Sequence, residues 1–259
     1  MGHEGADRRS SLPPIRQGVG CVAASRQGDT MPTVRVNDVG LYYETHGSGP
    51  ALVLIAGLNS DHTLFRLFIP RLAERYQVIV FDNRGIGQST GAESAFTIEM
   101  LAEDTAGLLR ALGITRAHVL GVSLGGRIAA ALTLGHPERV RSLVLVSTTM
   151  EPPPRTWHQR WISLVLCLPF VRGGTPYAAV TQQRAASRAF NCTNRLHEIR
   201  VRTLILVGKK DPLVPAYLAE VMHARIEGSK MIAFGGGHIF LHAAGAGVPG
   251  RSAGIPGFT

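Results

Sequence analysis

The sequence predicts an α/β protein: a mostly parallel, doubly wound sheet with an N-terminal hairpin and a short helical insertion late in the chain. Three observations lead there. Short, uniformly apolar runs alternate with stretches of helical period, as strands covered on both faces by crossover helices require. One such run, Ala117-His118-Val119-Leu120, passes without a loop through Gly121-Val122-Ser123-Leu124-Gly125-Gly126 into the helix formers Arg127 to Leu132. The alternation then stops between Ser147 and Val201, where only helical spacing is left, and resumes afterwards.

Taken in order, residues 1–30 are rich in Arg, Ser, Gly and Gln without any period and read as a disordered extension. Met31 opens the patterned part and is expected to be the true start; an intact Met1 terminus on native protein would contradict this. Thr33 to Val36 and Leu41 to His46 alternate as strands about the turn Asn37-Asp38-Val39-Gly40. Ala51 to Ile55 is wholly apolar and reads as a strand buried on both faces. A helical stretch around Phe68 to Arg75 leads to the strand Gln77 to Phe81. After the loop Asp82 to Ser89, Thr97 is placed to cap a helix carrying Ile98, Leu101, Leu108 and Leu112, which Gly113 stops. Beyond the central serine come the strand Val140 to Val146, then an apolar helical face with Trp157, Trp161, Leu164, Val165 and Leu168, and a second helix over Tyr177 to Phe190. The strand Thr203 to Val207, a helix from about Pro215 to Ile226 and the strand Lys230 to Phe234 complete the pattern. The core domain is thus expected over 31–242, with a helical lid over 150–200 and an irregular tail over 243–259.

The 259 residues, 45% hydrophobic, suffice for one sizeable core. Three cysteines, an odd number without metal-type spacing, support neither a disulfide framework nor a zinc site and fit a reducing, cytoplasmic setting. The net charge of +9 meets no helix-turn-helix, RNA-binding or basic-aromatic pattern, so nucleic acid is not the expected partner. Seven arginines against two glutamates between Met150 and Arg200 read first as outward-facing helix charges, with steering of an acidic substrate as the alternative. The longest apolar run, Trp161 to Val171, is too short to span a bilayer.

The motif Gly121-x-Ser123-x-Gly125 between a strand and a helix has the form of a nucleophile elbow; the plainer reading is a serine capping a helix. A serine hydroxyl is a poor nucleophile without a base to take its proton and an acid to orient that base. Both are expected at the carboxyl ends of strands. Asp211 follows the strand ending at Val207, and His238 follows the one ending at Phe234 after Gly235-Gly236-Gly237. His242 is the rival base, and a turn-capping role is the plainer reading of Asp211. The oxyanion donors would be the backbone N–H groups of Leu124, after the nucleophile, and of Leu58, in the loop after Ile55.

With Ser123, Asp82-x-Arg84-Gly85-x-Gly87-x-Ser89, Gly208-x-x-Asp211 and Gly237-His238 in place, the chain resembles the α/β-hydrolase superfamily over about Thr33 to His242. Within it, Leu54 to Gly57, the Asp82 loop and the elbow helix resemble lid-bearing serine hydrolases of the 3-oxoadipate enol-lactonase type. The resemblance implies an α/β-hydrolase fold and cleavage of a small-molecule carboxylic ester or lactone through an acyl-enzyme, with neither cofactor nor metal. It also implies structural rather than chemical roles for Asp82 and Arg84. The apolar lid face bearing Trp157 and Trp161 would bind substrate and favour a largely apolar acyl or cyclic one, with core packing as the plainer reading of the same stripe. Haloalkane dehalogenases, also similar, carry aspartate where Ser123 stands. Ala56 departs from the histidine many relatives have there, and the tail, with five Gly and two Pro, departs from their final amphipathic helix. Low stability and an exposed apolar sheet face are expected from that second departure. Peroxide chemistry on the same triad, or a binding protein without activity, are the alternative readings.

Overall fold

The computed structural model describes residues 32–91, 93, 95–152 and 176–238. The extension before Met31, Trp157 and Trp161 in the insertion, and the tail with His242 lie outside the described residues.

Eight strands form one sheet: β1 (Thr33–Val36), β2 (Val39–His46), β3 (Ala51–Ile55), β4 (Gln77–Phe81), β5 (Ala117–Val122), β6 (Val140–Val146), β7 (Arg202–Gly208) and β8 (Lys230–Phe234). Their spatial order is β1-β2-β4-β3-β5-β6-β7-β8. The pairings β1·β2 and β2·β4 are antiparallel, and every pairing from β4 to β8 is parallel. This is the predicted hairpin leading into a parallel sheet. The hairpin turn is tighter than the sequence pattern implies: β2 begins at Val39, and Asn37 takes a φ of 51°, a conformation its short polar side chain tolerates.

The five apolar residues of β3 are all buried, and they feed the two faces alternately. Ala51, Val53 and Ile55 join a core with α2 (Ile98–Ala111) and α3 (Leu124–Gly135). Leu52 and Leu54 join a second core with Phe65 and α1 (Ile69–Ala73). Thr97 caps α2 as predicted, its Oγ1 accepting from the Met100 N–H at 3.2 Å, and Gly113 ends the helix at φ +69°. The stretch around Phe68 to Arg75 makes only one short helix, α1, preceded by a 3₁₀ turn over His62–Phe65. The apolar exposure expected of one sheet face is not seen among the described residues: Leu120, Val144, Leu204 and Leu206 are buried, and on the edge strand β8 Met231, Ile232 and Phe234 are half-buried.

From the insertion between β6 and β7, the described part includes α4 (Tyr177–Ala189), with Ala179, Val180, Gln183 and Ala186 on its buried side. The helix α5 (Ala216–Arg225), between β7 and β8 in the chain, packs against both strands. Among the described residues, no helix is long and apolar enough to cross a membrane.

Candidate active site

Ser123 sits between the last residue of β5 and the first of α3 with φ 54° and ψ −114°. A non-glycine residue held there costs about 1–3 kcal/mol and persists only where its surroundings over-determine it. They do so here. The Ser123 N–H donates to the Val146 carbonyl at 2.8 Å, and its own carbonyl accepts from the Gly126 N–H at 3.0 Å and the Thr148 hydroxyl at 2.7 Å. The flanking glycines are needed for space. A Cβ on Gly121 would lie 2.2 Å from the Gly125 carbonyl oxygen, and one on Gly125 would lie 2.1 Å from that of Ile55. No side-chain cap bond is made by Ser123 to α3, so helix capping does not account for this serine. Thr148, just past the carboxyl end of β6, went unseen in the sequence; its position at a strand end was the available signal.

Two loops bring the partners to the serine. After β7, the N–H groups of Lys209 and Lys210 donate to the carbonyls of Phe234 and Gly236, at 2.8 and 3.0 Å. This stitches the loop that carries Asp211 to the loop that carries His238. Gly208 permits the approach, since a Cβ there would stand 2.4 Å from the Gly237 carbonyl oxygen. His238 Nδ1 consequently lies 2.7 Å from Asp211 Oδ2, and its Nε2 lies 3.0 Å from Ser123 Oγ. The Asp211 side chain is fully buried and that of His238 is 18% exposed. Asp211 also serves its turn: Oδ1 accepts from the N–H groups of Leu213 and Val214 at 2.8 and 2.9 Å. Asp211 thus makes both the turn bonds and the contact with His238, one oxygen for each.

Gly57 leads the loop after β3 past the serine, where a Cβ on it would be 3.4 Å from Ser123 Cβ and 3.3 Å from the Val122 carbonyl oxygen. The Leu58 N–H donates to no acceptor among the described residues. Leu124, as the first residue of α3, has an N–H beyond the reach of the helix ladder. The structure therefore gathers Ser123, Asp211, His238, Leu58 and Leu124 from four chain segments.

Asp82 and Arg84 take no part in this cluster. Asp82 is fully buried and accepts from the His62 N–H and the Gln88 N–H, both at 2.8 Å, with His62 Nδ1 also at 2.8 Å. Arg84 is held by Asp104 on two bonds, at 2.8 and 2.9 Å, and by Asp38 on two more, at 2.8 and 3.1 Å. Bonds to Asp104 and Asp38 hold the guanidinium above its ordinary pKa. Both residues brace the loop after β4. Asp61, His62 and Asp82 stand close enough together to share a cation, but Asp61 Oδ1 already caps the Thr63 N–H, and both Asp82 oxygens accept from their own loops.

Residues 50–193 match the family model described as the alpha/beta hydrolase fold. The chain is 33% identical over 225 residues to a protein of Azorhizobium caulinodans named "Putative carbamate hydrolase RutD", covering 74% of this chain and 85% of that one. Among solved structures it resembles the esterase EaEST from Exiguobacterium antarcticum, at 25% identity and a TM-score of 0.73, covering 82% of this chain and 94% of the other. It also shares its fold with the enol-lactonase from Burkholderia xenovorans LB400, with a TM-score of 0.74 at 22% identity, covering 83% of this chain and 96% of that one. Fold, family model and relatives agree: the chain belongs to the α/β-hydrolase family.

Proposed function

We propose that the protein is a serine hydrolase that cleaves a small-molecule carboxylic ester, lactone or carbamate through an acyl-enzyme. The observation that supports this reading most is the hydrogen-bond chain Asp211–His238–Ser123, at 2.7 and 3.0 Å. An ionised carboxylate only accepts, so His238 donates from Nδ1, and the neutral ring is left with Nε2 as the acceptor of the Ser123 hydroxyl proton. As Oγ bonds to the substrate carbonyl carbon, its proton passes to Nε2 and negative charge collects on the carbonyl oxygen. In this reading the N–H groups of Leu58 and Leu124 receive that charge, ordinarily the largest single contribution to acyl transfer. The imidazolium returns the proton to the leaving oxygen or nitrogen, the acyl-enzyme forms, and water repeats the cycle with His238 as base.

The ester and lactone classes rest on the active-site geometry and the esterase and enol-lactonase likenesses, and the carbamate on the RutD relative. A lid role for the helical insertion over 150–200 belongs to this reading, and α4 is its α-helix among the described residues. A cytoplasmic setting accompanies the reading, on the odd and unpatterned cysteine count of the sequence.

A fluorophosphonate probe tests it. Labelling of the folded protein that disappears in Ser123→Ala is the expected result, together with a loss of about 10³-fold or more in turnover of p-nitrophenyl esters. Folded protein that takes no label, or label retained in Ser123→Ala, would overturn the reading in favour of a binding protein. A panel of esters, lactones and aryl carbamates then ranks the acyl classes, and peroxide-dependent halogenation measures whether peroxide replaces water in the second step.

A further inference from the structure

The buried side of α4 is apolar at Ala179, Val180 and Ala186 but carries an amide at Gln183, whose exposure is 0%. Burying an amide costs free energy unless both of its ends are hydrogen-bonded. Among the described residues only one end is. Gln183 Oε1 accepts from the Asn59 N–H at 2.9 Å, and Nε2 has no partner there. Asn59 adjoins Leu58, and it holds a φ of 55° that the loop after β3 must sustain without a glycine at that position. The same loop passes Ser123 at Gly57.

The placement of α4 is itself anchored from beneath the elbow. Arg127, on α3 four residues past the serine and 3% exposed, donates to the carbonyl of Ser187 on α4 and, at 2.7 Å, to that of Glu151 at the start of the insertion. Gln183 is thus a polar group on a fixed element, one residue removed from a proposed oxyanion donor.

The bond from Asn59 settles which way the amide faces. With Oε1 taken by an N–H, the group left over is the NH₂, which can only donate. We infer that Gln183 is a positioning and specificity-determining residue: Oε1 holds the oxyanion loop, and Nε2 is satisfied by an acceptor oxygen on the acyl side of the substrate. The substrate class this selects is an acyl group bearing a second acceptor near the scissile carbonyl, such as an oxo, alkoxy or carboxylate oxygen, over a plain alkyl chain. A site built to bond a polar group rejects the analogue lacking it more strongly than an apolar pocket rejects a surplus methylene. This inference rests on the serine-hydrolase reading and narrows its substrate.

The test uses two esters of matched shape, p-nitrophenyl methoxyacetate and p-nitrophenyl butyrate, which differ by an ether oxygen in place of a methylene. The kcat/KM ratio of the two is divided by their ratio of hydrolysis by hydroxide, which removes their intrinsic reactivity. In the wild type the corrected ratio is expected to favour methoxyacetate by about tenfold. Gln183→Met, similar in volume and without polar ends, is expected to lower the ratio by about tenfold while reducing kcat on butyrate only about threefold. General damage to the fold would lower both activities and leave the ratio in place. A wild-type corrected ratio near one overturns the inference whether or not the variant folds, and so does a ratio that Gln183→Met does not move. Fluorophosphonate labelling is read in parallel. Label on Ser123 with either of those results removes the role of Gln183 alone, whereas folded wild type without label removes the hydrolase reading and this inference together.

Discussion

Asp211 divides its carboxylate between Oδ2, which faces His238, and Oδ1, which accepts from the N–H groups of Leu213 and Val214. Asn at this position can still accept both backbone bonds through its own Oδ1. Its amide nitrogen, however, would donate to His238 Nδ1 and force the ring proton onto Nε2, where it can no longer receive the serine proton. Asp211→Asn is therefore expected to lower kcat by about 10⁴-fold. The denaturation midpoint should move by the equivalent of less than about 1 kcal/mol, since the turn keeps its bonds. Stopped-flow or steady-state ester hydrolysis alongside urea unfolding checks both halves. Loss of stability comparable to the loss of activity would mean that the turn, rather than the tautomer, is what Asp211 protects.

At the scale of elements, the junction of β5 and α3 concentrates the demands on backbone space. Gly125 and Gly135 both belong to α3, yet they lie in opposite surroundings: the first would drive a Cβ to 2.1 Å from a backbone oxygen of β3, and the second has nothing within 4 Å. A backbone neighbour cannot swing aside as a flexible side chain can. Gly125→Ala is expected to destabilise by about 3 kcal/mol or more and to abolish probe labelling, because α3 must move off β3. Gly135→Ala is expected to be neutral or to stabilise by up to about 1 kcal/mol, through the lower entropy of its unfolded chain. Thermal and urea unfolding of the pair measures the contrast.

For the molecule as a whole, burial has a signature in alkali. Desolvation pushes the Cys192 thiol up to about 12, with Arg127 opposing it. Desolvation, helped by the bond to Glu44, pushes the Tyr42 phenol up to about 12 as well. Both groups lose their protons more readily when unfolded, so the unfolded chain binds fewer protons than the native one above the ordinary thiol value. Their contribution to stability is present in full below pH of about 9 and is lost as pH rises from there through about 12. The melting temperature should accordingly fall across that window. In the native protein at pH 8, peptide mapping should find Cys192 unmodified by iodoacetamide, and labelled once the protein is unfolded. Native labelling at a rate equal to that of an exposed thiol would contradict its burial.

Much of the fold was legible because its causes are local. Uniform apolarity marked β3, Thr97 and Gly113 marked the ends of α2, and the glycines about Ser123 announced a turn too sharp for a Cβ. Those features also supplied Ser123, Asp211 and His238 as candidates by their positions after strands. The shortened α1 and the earlier start of β2 escaped, since the ends of elements depend on packing rather than on period. Gln183 and Thr148 escaped for a related reason: an amide on a helix or a hydroxyl after a strand has no distinctive pattern, and its partner is known only once the chain has folded. The sequence by itself determined the alternation of strand and helix, the elbow and the chemical types of its partners, because steric and hydrophobic preferences act on neighbours along the chain. Only the tertiary structure decided that residues 115 positions apart meet at 3.0 Å and that one half of a buried amide is left unbonded among the described residues. Distances of that kind are set by loops stitched across the sheet edge and by helices docked from elsewhere, which no local pattern encodes.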